Sequence, residues 1–179
     1  MRWGPAPLAL ALLTLGLTAC GTTAHSTGKT AGTGRQTPGL FYDRDDGPVR
    51  FFGHEAEAAE TQAIGSLVRR YYALAARADG TGACPLIHSL ISTTIVEDYG
   101  HVATLRGKSC ATVISKLFAQ HRRELVADSA TLEVLGVRVE ANRALVLLRF
   151  QDAREPDHIE VSREGRTWRI WELLAGRMP

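Results

Sequence analysis

Near Asp128 the spacing of apolar residues changes period, and that change limits the folds open to this 179-residue chain. Before it, apolar side chains recur every three or four residues; after it, they alternate. The first spacing lays a stripe along a helix and the second gives a strand one apolar face. Helices followed by strands form an α+β arrangement, in which the helices must cover one face of the sheet.

The helical half divides into three. Glu55, Glu57 and Glu60 favour the first turn of a helix that begins around His54. Its stripe is Ile64, Leu67, Val68, Tyr71, Tyr72 and Leu74, and it runs to about Ala78, where Asp79-Gly80-Thr81-Gly82 ends it. A shorter helix follows from about Cys84, with Pro85 suited to a first helical position and Leu86, Ile87, Leu90 and Ile91 apolar. Its β-branched residues 92–96 read equally as strand, and residues 102–105 as a short extended piece. Ser109 is placed to cap a third helix, whose stripe is Val113, Ile114, Leu117 and Phe118 and which ends before Asp128. Period two then marks strands at 132–140, 144–152, 158–163 and 167–174. Their short, turn-rich connections predict antiparallel pairing in sequence. The expected fold is α+β: three N-terminal helices packed on a curved four-stranded antiparallel meander. In the second strand both faces are apolar near the start, Val146, Leu148 and Phe150 against Leu145 and Leu147, which predicts cover on both sides. In the last strand Trp168, Ile170, Glu172 and Leu174 share one face and Arg169, Trp171 and Leu173 the other, and either qualifies as the covered one.

The N-terminus carries a different signal. Arg2 precedes an apolar run of about ten residues, a length that fits a signal peptide and is too short to span a bilayer. Leu17-Thr18-Ala19-Cys20 then reads as a lipobox, with the Cys20 thiol as the acceptor of a lipid. The expected division is a lipoprotein signal peptide at 1–19, a flexible tether at 20–39 and a single α+β domain at 40–179 with its core at about 55–175. The alternative is an ordinary cysteine after a plain secretory signal. Leu40-Phe41-Tyr42, a turn at Asp45-Asp46-Gly47-Pro48, and residues 49–52 bring aromatics back, so this segment is expected to lie against the domain. With Cys20 assigned to the lipid, Cys84 and Cys110 remain as an even pair in an exported chain, where disulfides persist. A bond between them is expected; the alternative is two buried thiols. A net charge of +2 gives no case for nucleic acid, and no polybasic run addresses anionic lipid, so membrane contact is expected through the N-terminal lipid.

The order of long helix, short helix, third helix and meander with a Trp-rich last strand resembles the nuclear-transport-factor-like cone fold, which includes SnoaL-like cyclases and ketosteroid isomerases. Ala83-Cys84-Pro85-Leu86, Ser109-Cys110-Ala111 and Gly165-Arg166-Thr167-Trp168-Arg169-Ile170, together with the lipobox, resemble a group of small actinobacterial-type lipoproteins. That resemblance implies a disulfide joining the second and third helices. It names no activity, because this fold serves enzymes and binding modules alike.

Catalytic strings are absent: there is no Gly-x-Ser-x-Gly, His-Glu-x-x-His, Cys-x-x-Cys or phosphate loop. His54-Glu55 would need a second histidine where Ala58 stands, and Pro85 replaces the last glycine of a dinucleotide fingerprint begun by Gly80 and Gly82. His88, His101 and His121 have no metal-like spacing, so neither metal nor cofactor is expected. A cone fold implies a cavity between sheet and helices, and its candidate lining is Tyr71, Tyr72, His88, Phe118, Phe150, Trp168 and Trp171. These side chains either grip a ligand or simply fill the core. The expected function is an extracytoplasmic, membrane-anchored binding or interaction module for a small apolar ligand or an envelope protein. The alternative is a cyclase- or isomerase-type enzyme with a carboxylate, Glu172 or Asp152, inside the cavity.

Overall fold

A computed structural model describes residues 47–151, 153 and 156–174. The segments expected as signal peptide and tether, with Cys20, Leu40-Phe41-Tyr42 and Asp45-Asp46, lie outside the described residues, as do Asp152 and Ala175. A single helical turn, α1 (Gly47–Arg50), leads to a two-residue strand, β1 (His54–Glu55). The long helix α2 is Ala58–Ala76, and another single turn, α3, is Gly80–Ala83. A 3-10 turn at Cys84–Leu86 precedes α4 (Ser89–Tyr99), α5 (Cys110–Gln120) and α6 (Arg122–Thr131). The sheet strands are β2 (Glu133–Glu140), β3 (Arg143–Arg149), β4 (Asp157–Glu164) and β5 (Thr167–Ile170).

The chain is thus helices followed by an antiparallel sheet, ordered β1-β2-β3-β4-β5. It differs from three helices on four strands in four places, each with a local cause. First, His54–Glu55 does not open α2 but pairs with the edge of β2, His54 opposite Val139. Second, Gly80 and Gly82 form a helical turn rather than a break. The Asp79 carboxylate accepts from the Gly82 N–H at 2.9 Å, and a Cβ on Gly80 would overlap the Ala111 carbonyl of α5. Third, Ile87 is extended, with φ −83° and ψ 142°, and forms a parallel bridge to Ile170, so the second helix starts only at Ser89. Fourth, His121, with φ −106° and ψ 17°, divides the third helix into α5 and α6, and α6 continues past Asp128 to Thr131. Residues 102–105 form turns held by Val102 and Leu105 N–H bonds rather than an extended piece.

Both sheet faces are covered, as the composition of β3 predicts. Val146, Leu148, Ile159, Val161 and Ile170 pack against the stripes of α2 and α5 in the main core. On the opposite face Leu135, Leu145 and Leu147 are sealed by Val49 and Phe52, so these two residues of the segment 49–52 lie against the sheet while Phe51 is exposed. Arg138 holds that segment down by donating to the Phe52 and Gly53 carbonyls at 2.6 and 2.8 Å. Leu135 joins this outer cluster because the register shifts between Val134 and Gly136, a bulge that turns an extra side chain outward. Ser109 caps α5, its Oγ accepting from the Thr112 N–H at 3.4 Å. Cys84 and Cys110 are joined by a disulfide, which ties the 3-10 turn to the first residue of α5.

Candidate functional site

The seven aromatic and imidazole side chains expected to share a cavity fall into three places. Tyr71 and Tyr72 from α2, Phe118 from α5 and Phe150 after β3 are at most 1% exposed. Their rings meet edge to face or tilted, with centroids 5.8 Å apart for Tyr71–Phe118 and 5.6 Å for Tyr72–Phe150. Rings at that spacing are packed against each other between the helices and the sheet. The Tyr71 hydroxyl is buried there without a hydrogen bond to any described residue.

Burial raises the Tyr71 phenol well above its ordinary value of 10.0, and Tyr72 adds to the shift. The folded chain therefore holds this proton where the unfolded chain releases it. Its contribution to stability is complete below about pH 10 and is lost as the pH rises further. Because the hydroxyl is desolvated without a partner, Tyr71→Phe is expected to stabilise the domain by about 1 kcal/mol at pH 7 and to flatten the alkaline loss. Urea unfolding at pH 7 and pH 10.5 measures both effects; a destabilised variant would show that the hydroxyl is hydrogen bonded in solution.

His88 and Trp171 lie on the far side of the sheet, beside the end of β5. The extended residue Ile87 brings His88 alongside this strand, where its N–H donates to the Ile170 carbonyl at 2.9 Å. The imidazole then caps α4: Nδ1 accepts from the Leu90 N–H at 3.3 Å, which assigns the proton of a neutral ring to Nε2. Trp171 is aimed by a bulge, since the N–H groups of Trp171 and Glu172 both donate to the Glu160 carbonyl. The two rings meet edge to face at 4.9 Å. Beside them Arg143 forms a two-pronged ion pair with Glu160, donating to its carboxylate at 2.6 and 2.8 Å, and these bonds to Glu160 raise the arginine pKa. These groups and Ser162 surround an open cleft of about 470 Å³.

Trp168 belongs to neither group. It stands at the helix-side rim, where the Arg163 guanidinium lies 4.5 Å from its ring centroid and is itself paired with Glu60 of α2. A second cleft, of about 460 Å³, opens beside it between α2 and β5. His121 and His101 approach neither cleft: His121 lies 3.6 Å from Glu124, and His101 is exposed. Among the described residues no three His, Cys, Asp or Glu side chains gather as a metal site. Glu172 accepts from the Glu160 N–H at 3.3 Å instead of facing the packed rings.

Two features escape a reading of the sequence. Asp128, 1% exposed on α6, is a buried carboxylate that lines neither cleft. Its place in the chain, among Ala and Ser residues, resembles an exposed helical position. The Arg143–Glu160 pair is invisible too, because it joins strands whose register only the fold reveals: Arg143 faces Ser162 and Glu160 faces Leu145. In comparisons with known proteins, no family model, no curated protein and no solved structure matches the chain.

Proposed function

We propose that the chain is an extracytoplasmic binding module, held at the membrane by a lipid on Cys20, which recognises its ligand in the open cleft that His88 and Trp171 form beside Arg143 of β3 and Glu160 of β4. A cone-type arrangement of helices on a meander is the architecture that fits this reading, supported by the pairing of β2 to β5 in sequence. The observation that carries the proposal is the division of the aromatic residues. Four rings close on one another as core, whereas His88 and Trp171 converge with a charged pair on an accessible surface. Such a cleft suits a small, flat ligand with a polar edge. Trp171 offers a ring face, His88 Nε2–H a donor, and Glu160 and Arg143 an acceptor and donors, a set complementary to an amide.

Benzamide is a suitable first probe, read by Trp171 emission in the full chain carrying Trp3→Phe, Cys20→Ser and Trp168→Phe. Saturable quenching that His88→Ala or Arg143→Ala weakens about tenfold supports the proposal. Quenching unchanged in both variants contradicts it. The tether is tested separately by fractionation: Cys20→Ser should move the protein from the membrane to the soluble extracytoplasmic fraction, and retention at the membrane would remove the lipid anchor.

A further inference from the structure

We infer that the second cleft, between α2 and β5, binds an anionic amphiphile: a single phosphate or carboxylate head on an apolar body. This goes beyond the reading above, because it uses a different cleft and different side chains. The floor is apolar, formed by Leu67, Leu86 and Trp168, and the rim carries the guanidinium groups of Arg70, Arg166 and Arg169. Of these, Arg70 and Arg166 make no ion pair or hydrogen bond with the described residues and are exposed. Arg169 is fixed in place, donating to the Pro85 carbonyl and lying 3.5 Å from the Glu164 carboxylate.

The Glu60 carboxylate beside Trp168 is already matched by Arg163 and Glu164 by Arg169, so the exposed Arg70 and Arg166 leave this rim positively charged in a chain whose total is only +2. Guanidinium forks match the paired oxygens of phosphate and carboxylate and are the most weakly hydrated protein cations, so they tolerate an apolar neighbour. The floor supplies that neighbour. Trp168 is held by the Glu60–Arg163 stack on α2 and β4, and Leu86 by the 3-10 turn that the Cys84–Cys110 bond anchors. A preformed apolar floor under a cationic rim selects a ligand with both parts, and a volume of about 460 Å³ is that of an ordinary small-molecule site.

The test uses the full chain with Trp3→Phe, Cys20→Ser and Trp171→Phe, so that Trp168 alone reports. Dodecyl phosphate, below its micelle concentration, should shift Trp168 emission saturably and bind at least about tenfold more tightly than inorganic phosphate or dodecyltrimethylammonium. Arg70→Gln with Arg166→Gln should weaken dodecyl phosphate about tenfold while leaving the thermal midpoint unchanged, since both side chains are exposed and unpaired. Retention by phosphatidylglycerol vesicles and not by phosphatidylcholine vesicles, lost in the double variant, would support the same chemistry with a bilayer lipid as its source. Equal affinity for the cationic amphiphile, or binding of dodecyl phosphate unaltered in the double variant, overturns the inference.

Discussion

Phe118→Ala is expected to destabilise the domain by about 3 to 5 kcal/mol, the largest effect of any single truncation considered. Phe118 is fully buried on the apolar stripe of α5 and meets Tyr71 of α2 edge to face at 5.8 Å. Removing the ring forfeits its transfer free energy and leaves a cavity that neighbours on two different helices cannot both collapse to fill. Against a total stability of about 5 to 15 kcal/mol, such a loss unfolds a large share of the molecules at physiological temperature. Phe118→Leu should cost much less, about 1 kcal/mol, because it keeps most of the volume. Urea unfolding followed by circular dichroism distinguishes the cases. A cost below about 1 kcal/mol for alanine would mean that the rings line a hollow rather than fill a core.

Removal of the disulfide, by Cys84→Ser with Cys110→Ser, should cost about 3 to 4 kcal/mol, a fall of about 10 to 15 °C in the thermal midpoint. The bond closes a loop across a separation of 26 residues, and its loss returns that entropy to the unfolded chain. A local effect should accompany the global one. The bonded turn Cys84–Leu86 also carries Leu86 and the Pro85 carbonyl that holds Arg169, so the second cleft should loosen first under reducing conditions. Calorimetry with and without reductant measures the global term, and Trp168 emission the local one. A midpoint unchanged within about 2 °C would contradict this account.

How far the chain can be read without its fold depends on whether a feature is local. The stripes of α2 and α5, the Ser109 cap, and the alternation of β2, β3 and β4 are local, and each lies within a few residues of where it is expected. Double cover of β3 was also legible, because Leu145 and Leu147 alternate with Val146 and Leu148 and nothing polar interrupts them. What was not legible depends on distant contacts. Gly80 reads as a helix breaker, yet it is part of a turn whose tight approach to Ala111 no spacing rule contains. His88 reads as a candidate pocket group, but its backbone runs beside β5 and its ring caps α4.

The candidate site shows the same division. Aromatic side chains were found by type, and their faces depend on the pleat and its bulges. Alternation separates Trp168 from Trp171 correctly. After the double donation to the Glu160 carbonyl the alternation ends, so that Leu173 and Leu174 both join the main core. Polar partners such as Arg143 and Glu160 come together only through register, and a sequence holds no local trace of them.

The central claim is that recognition takes place in the two open clefts beside Trp171 and Trp168 and not among the four packed rings of the core. It is tested most directly by a crystal structure of the full chain with Cys20→Ser, exported to an oxidising compartment and soaked with benzamide and dodecyl phosphate. The account predicts ligand density against Trp171 and His88, or against Trp168 and the arginine rim, with Tyr71, Tyr72, Phe118 and Phe150 still in mutual contact. Density enclosed among those four rings would contradict it.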